Sequence, residues 1–149
     1  MTDIEIAGCP LCSADLAVIA RSGHWTIILN ENQATLGRVY FALRRHETNI
    51  SLLTADEQAD LWQCLSSVKG ALHRLFAPDH VNFVFHMNLV AHVHAHLYPR
   101  YKSPRTFAGE LFEDSLFGQH YNPSEERILT PDVFTVLLDD IRSALESTH

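Results

Sequence analysis

His92, Val93, His94, Ala95 and His96 set three imidazoles at alternate positions, with apolar residues between them. In an extended strand successive side chains point to opposite faces. The three rings therefore share one face at a repeat of about 6.6–6.8 Å, and Val93, Ala95 and Leu97 share the other. Imidazole titrates near pH 6.5, so at neutral pH much of it is unprotonated and able to act as nucleophile, proton carrier or metal ligand. Two chemistries fit the pattern. One is a metal site built from all three rings. The other is a nucleophilic histidine with a second histidine beside it, placed to donate a proton to a leaving group or a phosphate oxygen. Solvated surface histidines are the plain alternative, and a metal-affinity tract would lack the interleaved apolar residues.

Cys9-Pro10-Leu11-Cys12 has the spacing of a metal knuckle, which by itself is half of a tetrahedral zinc site. Reduced cysteines, or a redox pair, are the alternatives; a thioredoxin-type pair would want a strand-to-helix context that is absent around residue 12. The chain has three cysteines, an odd number, and no visible signal peptide, so a disulfide framework is not expected. Cys64 reads as a partly buried bystander in a helix.

These groups need a scaffold, and its pattern is legible. Residues 16–20 are a short apolar run. Residues 25–30 alternate, with Trp25, Ile27 and Leu29 on one face, and residues 38–45 form a second β-rich run after a polar connection ending at Gly37. Trp25 reads as either core or base-facing. Thr54-Ala55-Asp56-Glu57 is a capping-box signature, followed by Leu61, Leu65, Val68, Leu72 and Leu75 at helical spacing, which predicts a helix over 55–76. Residues 81–88 alternate again, with Val81, Phe83, Phe85 and Met87 opposite Asn82, Val84, His86 and Asn88, and residues 92–98 continue the pattern. Residues 102–129 are irregular and aromatic-rich. Thr130-Pro131 opens a terminal helix over 130–147, with Phe134, Leu137, Ile141 and Leu145 as its stripe. The expected architecture is one α+β domain over 1–149: an antiparallel sheet of about five strands, a mid-chain helix and a C-terminal helix packed on it, and a cysteine-bearing arm at 1–14.

Length and composition agree. The chain has 149 residues, 46% hydrophobic and 19% charged, with net charge −7 when histidines are neutral. That suits one globular core and no membrane span, and the missing signal peptide points to the cytoplasm. An acidic balance disfavours a nucleic-acid polymer as partner but leaves room for a small anionic ligand in a local site.

His92-Val93-His94-Ala95-His96-Leu97-Tyr98-Pro99-Arg100 resembles the signature of the histidine triad family, in which three histidines alternate with apolar residues and are often continued by Pro-Arg. Its surroundings resemble the family from about residue 9 to residue 101. Asn88 stands where members carry glutamine or asparagine, Asn82 on the preceding strand where they carry a polar phosphate contact, and Asn30 where they contact the ribose. Arg45-His46 resembles the family's Lys-Arg-His strand ending. Three positions depart from it: Arg38 follows Leu36-Gly37 where members often have Pro-Gly-His, Met87 replaces a common glycine, and Asn88 is shorter than glutamine.

The resemblance implies the histidine triad fold, a homodimer and a nucleotide or dinucleotide substrate. It makes His94 the nucleophile at an α-phosphate, forming a nucleotidyl-histidine intermediate. His96 would contact the scissile phosphate and assist leaving-group protonation, and the carbonyl of His92 would fix the tautomer of His94. Asn30, Asn82 and Asn88 would be substrate contacts. It also implies a structural zinc on Cys9, Cys12, His46 and His92. The implied activity is a nucleotide hydrolase or nucleotidyl transferase acting on diadenosine polyphosphates or nucleoside phosphoramidates. The alternatives are a non-catalytic nucleotide-binding module of the same fold and a dinucleoside polyphosphate phosphorylase. Outside this set, Arg44, Arg45, Arg100, Lys102 and Arg105 read mostly as solvated cations, with Arg100 placed to orient the loop after the histidines. His24, His73, His80, His120 and His149 read as surface residues. His86 shares the polar face. Phe107, Phe112, Phe117 and Tyr121 read as packing.

Overall fold

A computed structural model describes residues 6–12 and 15–147. The remainder of the 1–14 arm, and His149, lie outside the described residues. Seven strands and two helices follow the order β1 (Val18–Arg21), β2 (Trp25–Leu29), β3 (Val39–Leu43), α1 (Ala55–Phe76), β4 (His80–Val84), β5 (His94–Arg100), β6 (Arg105–Phe107), β7 (Glu110–Phe112) and α2 (Pro131–Glu146). Five of the strands form one antiparallel sheet, ordered β1-β2-β3-β5-β4.

Register explains the division of labour between the two faces. Ile27 pairs with Phe41 and Phe41 with Ala95, a row that points into the core. Ile28 pairs with Tyr40, Tyr40 with His96 and His96 with Val84, a row on the opposite face. A slip of one residue would turn every histidine inward. On the core side Trp25, Val39, Phe41 and Leu97 meet Leu61, Val68 and Leu72 of α1, and Leu137 and Ile141 of α2 complete the cluster. Trp25 belongs to the core, with its indole Nε1 donating to the Glu57 carbonyl at 2.8 Å. Gly37 has φ +85°, and a Cβ there would stand 3.0 Å from Leu72 Cδ2, so the turn into β3 requires glycine twice over.

Both helices start where their caps predict. Thr54 Oγ1 accepts from the Glu57 N–H, and the Glu57 carboxylate accepts from the Thr54 N–H at 2.8 Å. Thr130 caps α2. Cys64 is buried in α1, beside Asp60.

Three expectations are corrected. The strand predicted over 81–88 stops at Val84; residues 85–93 leave the sheet, and Met87 takes φ 53°. His92 therefore precedes its strand, which begins at His94. The irregular 102–129 segment contains the β6–β7 hairpin, turned by Ala108 (φ 49°) and Gly109 (φ 77°). Both central residues have positive φ, as a two-residue hairpin loop demands, but strands of three residues leave no period to read. Finally, Arg45 and Arg100 are paired cations, and Arg100 is buried. Arg45 binds both oxygens of the buried Glu57, and Arg100 is 3% exposed and paired with Asp114.

The Arg45–Glu57 pair ties the helix cap to the end of β3. The Arg45 hydrogen bond, against the cost of burial, holds the Glu57 carboxyl below its ordinary value. Glu57→Gln should lose about 2 kcal/mol at neutral pH, the worth of a charge-assisted bond. A depressed carboxyl stabilises the fold above the unfolded value, about pH 4.3, and that advantage fades as pH falls through the lower folded value. Denaturant titrations of both proteins between roughly pH 3 and 7 should therefore converge at the acidic end.

Candidate functional site

Where β3 ends and β5 begins, four ligand groups converge. Cys9, Cys12, His46 and His92 place their ligand atoms within 4.8 Å of one another. Cys9 Sγ is 3.4 Å from His92 Nδ1, and Cys12 Sγ is 3.6 Å from both His46 Nδ1 and His92 Nδ1. With zinc–sulfur near 2.3 Å and zinc–nitrogen near 2.0–2.1 Å, the sulfur–nitrogen edge of a tetrahedron is about 3.6 Å. The distances are those of ligands around a shared ion. Second contacts agree. His92 Nε2 donates to the Leu43 carbonyl at 2.7 Å, which leaves the lone pair on Nδ1, the atom facing the sulfurs. Burial, more than any neighbouring charge, lowers the pKa of the His92 ring. The set is closed: four protein ligands leave no open position for chemistry.

The backbone of His92 reaches the other way. Its carbonyl accepts from His94 Nδ1 at 2.7 Å, so His94 carries its proton on Nδ1 and a lone pair on Nε2. His94 is 7% exposed and lines a cavity of about 1070 Å³ on the outer face of the sheet. His96 and Tyr98 follow on the same face, with His94–His96 centroids 5.1 Å apart and His96 stacked on Tyr98 at 5.7 Å. Burial first, and then the charges of Arg38, His94 and His86, push His96 down to about 3. It is neutral at physiological pH, and its Nδ1 is buried without a partner.

Beyond the histidines the cavity gains a roof from the irregular segment. Tyr121 stacks on Tyr98 with centroids 3.9 Å apart and planes 13° from parallel. The Tyr121 hydroxyl also bonds His86 Nε2, which lies 3.2 Å from the Tyr98 hydroxyl. Arg100 secures this segment from beneath: it donates to both oxygens of Asp114 and to the carbonyls of Leu116 and Gln119. Arg38, opposite Tyr98 across the β3–β5 register, stands 4.7 Å over the Tyr98 ring.

Of the residues singled out from sequence, Asn30, Asn88, His94 and His96 line the cavity. Asn30 Oδ1 already accepts from the Asn32 N–H. Asn82 is not among the lining residues; its Oδ1 accepts from Arg100 Nη1 at 3.0 Å, so it braces the arginine. Cys9, Cys12, His46 and His92 form the separate four-ligand cluster. His86 and His120, read as structural and surface groups, both line the cavity. Sequence reading missed Arg38, Tyr40 and Tyr121. Strand alternation from His96 through the facing strand could have found the first two; nothing local marks Tyr121.

No protein-family model and no curated protein matches the sequence. Solved structures do match the fold. A hypothetical histidine triad nucleotide-binding protein from Sulfolobus tokodaii superposes with a TM-score of 0.71 at 17% identity, covering 93% of either chain. A histidine triad protein from Marinobacter aquaeolei gives 0.69 at 18% identity over 91% of this chain and 93% of the other. A zinc-bound histidine triad family protein from Mycobacterium smegmatis gives 0.64 at 16% identity, over 91% and 87%. The five-stranded sheet, the mid-chain helix and the C-terminal helix are those of the histidine triad fold.

Proposed function

We propose that this chain is a histidine triad enzyme that hydrolyses or transfers a nucleotide at its α-phosphate. The observation that carries the reading is the tautomer of His94: a backbone carbonyl takes the Nδ1 proton, and Nε2 keeps its lone pair at the wall of a large cavity. Nε2 attacks the α-phosphorus. A P–N bond forms, the bond from phosphorus to the leaving group breaks, and the leaving group takes the electron pair and, where it is an amine, a proton. Water then adds to phosphorus as the P–N bond breaks, giving the nucleoside monophosphate, returning the lone pair to Nε2 and releasing one proton to solvent. Two displacements replace one difficult step. His96, neutral in the free protein, serves as an N–H donor to a phosphate oxygen, and the incoming anion favours its protonation for the leaving group. Asn30 and Asn88 orient the nucleotide. The apolar side of Ile28 offers a surface to the base. Phosphate in place of water in the second step would make the enzyme a phosphorylase.

Zinc is the structural ion the Cys9, Cys12, His46 and His92 set would hold. Bound there, it would lock the arm against the start of β5. The fit rests on the ligand spacing and on the zinc-bound relative.

A homodimer joined through β4 and α1 completes the reading. β4 is an edge of the sheet, and an unpaired edge favours a partner strand. Beside it Trp62 is 57% exposed, with its ring 6.3 Å from Phe83.

Three outcomes test these statements. His94→Ala should abolish turnover of nucleoside phosphoramidates and dinucleoside polyphosphates while nucleotide still binds; mass spectrometry of products formed in water and in phosphate reads the reaction, and turnover by the folded variant would defeat the mechanism. The purified protein should hold one zinc per chain, and Cys9→Ser should lose the metal and melt at lower temperature, because ligand binding is folding free energy at such sites; elemental analysis with calorimetry decides. Light scattering at micromolar concentration should give a dimer mass, with Trp62→Glu shifting it to monomer.

A further inference from the structure

Arg38 stands on the reactive face with no ion pair among the described residues. Its Nη2 donates to the Tyr98 hydroxyl at 3.3 Å, and its Nε is buried with no partner. Among the described residues no carboxylate forms an ion pair with it, whereas five arginines, Arg45, Arg100, Arg105, Arg127 and Arg142, each have one. A guanidinium removed from water is costly unless an anion or acceptor meets it. His86, His94 and His96 share the cavity wall with Arg38, and its charge disfavours protonation of His86 and His96; Asp15 and Glu31 line the same cavity but form no ion pair with it. The buried His96 Nδ1 on the same wall has no partner either. A buried guanidinium N–H without an acceptor beside a cavity is a site for an anionic oxygen.

Position says which oxygens. Along β5 the nucleophile His94 comes first, His96 is one side-chain repeat on and Tyr98 another. Arg38 faces Tyr98. It therefore sits beside Tyr98, one side-chain repeat beyond His96 on the side away from His94. Tyr98, on which Arg38 lies, is itself stacked on Tyr121, and Arg100 holds that roof in place.

Given the nucleotide reading above, we infer that Arg38 is a specificity-determining residue that grips a second phosphate adjoining the one attacked, so that the preferred substrates are nucleotides with two or more linked phosphates. A nucleoside phosphoramidate, with one phosphorus and an amine leaving group, offers Arg38 no partner.

The test is equilibrium binding of ADP and AMP by calorimetry to the wild-type protein and to Arg38→Gln, with Arg38→Lys as a second variant. The wild type should favour ADP by about tenfold to a hundredfold, the range of one charge-assisted contact. Arg38→Gln should bring the ADP-to-AMP ratio close to one. Arg38→Lys, which keeps a point charge but not the planar fork, should retain part of the preference and answers the question if the glutamine variant does not fold. The same ratio in wild type and variants, or an equal loss for both nucleotides, would overturn the assignment of Arg38 while leaving the nucleotide reading intact. Failure of the wild type to bind either nucleotide would overturn the nucleotide reading, and this assignment with it.

Discussion

One residue joins the two halves of the site. His92 turns its ring to the cysteines, steadies that ring on the Leu43 carbonyl, and offers its own carbonyl to His94. Those three bonds lie within a single residue just before β5. Anything that moves the ring moves the peptide plane, and with it the acceptor that sets the tautomer of His94. A structural cluster and a reactive face are thus not independent modules. The cluster sets where β5 begins, and β5 sets where Nε2 points.

The polar interactions away from the reactive face serve the same end. Arg45 ties the cap of α1 to the residue before His46. Arg100, at the last position of β5, spends its donors on Asp114, Asn82 and two carbonyls of the irregular segment. One arginine therefore anchors the end of β3 through the helix, and the other anchors the end of the reactive strand through the roof. Removing either partner of such a pair leaves a desolvated charge, which is why buried pairs are far costlier to break than they are worth in net stability.

The sheet and both helices were legible because each rests on a local rule, alternation or a capping signature; the cysteine spacing marked half of the four-ligand cluster, and its histidines came from the family resemblance. What was not legible came from contacts distant in sequence. Val84 ends its strand although alternation continues through Met87: β5 runs on to His94, but its pairing with β4 stops at His96, and Met87 takes φ 53°. Asn82 looks like a ligand contact by its face, yet Arg100 takes its carbonyl oxygen. Tyr121 lies amid residues with no period, and only Arg100 and Asp114 bring it onto Tyr98. Arg38 reads as an ordinary strand-edge cation until the structure shows it on Tyr98 with no carboxylate in ion-pair contact among the described residues.

The strand order has a consequence for how the molecule is made. β4 and β5 are neighbours in sequence and can pair early, but β5 reaches β3 only across the whole of α1, joining Val39 to Leu97. Closing a loop of that length costs entropy before any contact is gained. As the chain emerges from the ribosome, β1 to β3 can associate while the histidine strand is still unsynthesised. Arg38 and Tyr40 on one side, and His94 and His96 on the other, meet only when this longest pairing is made. No partly folded form short of it presents the reactive face, so competence to act on a substrate coincides with completion of the sheet.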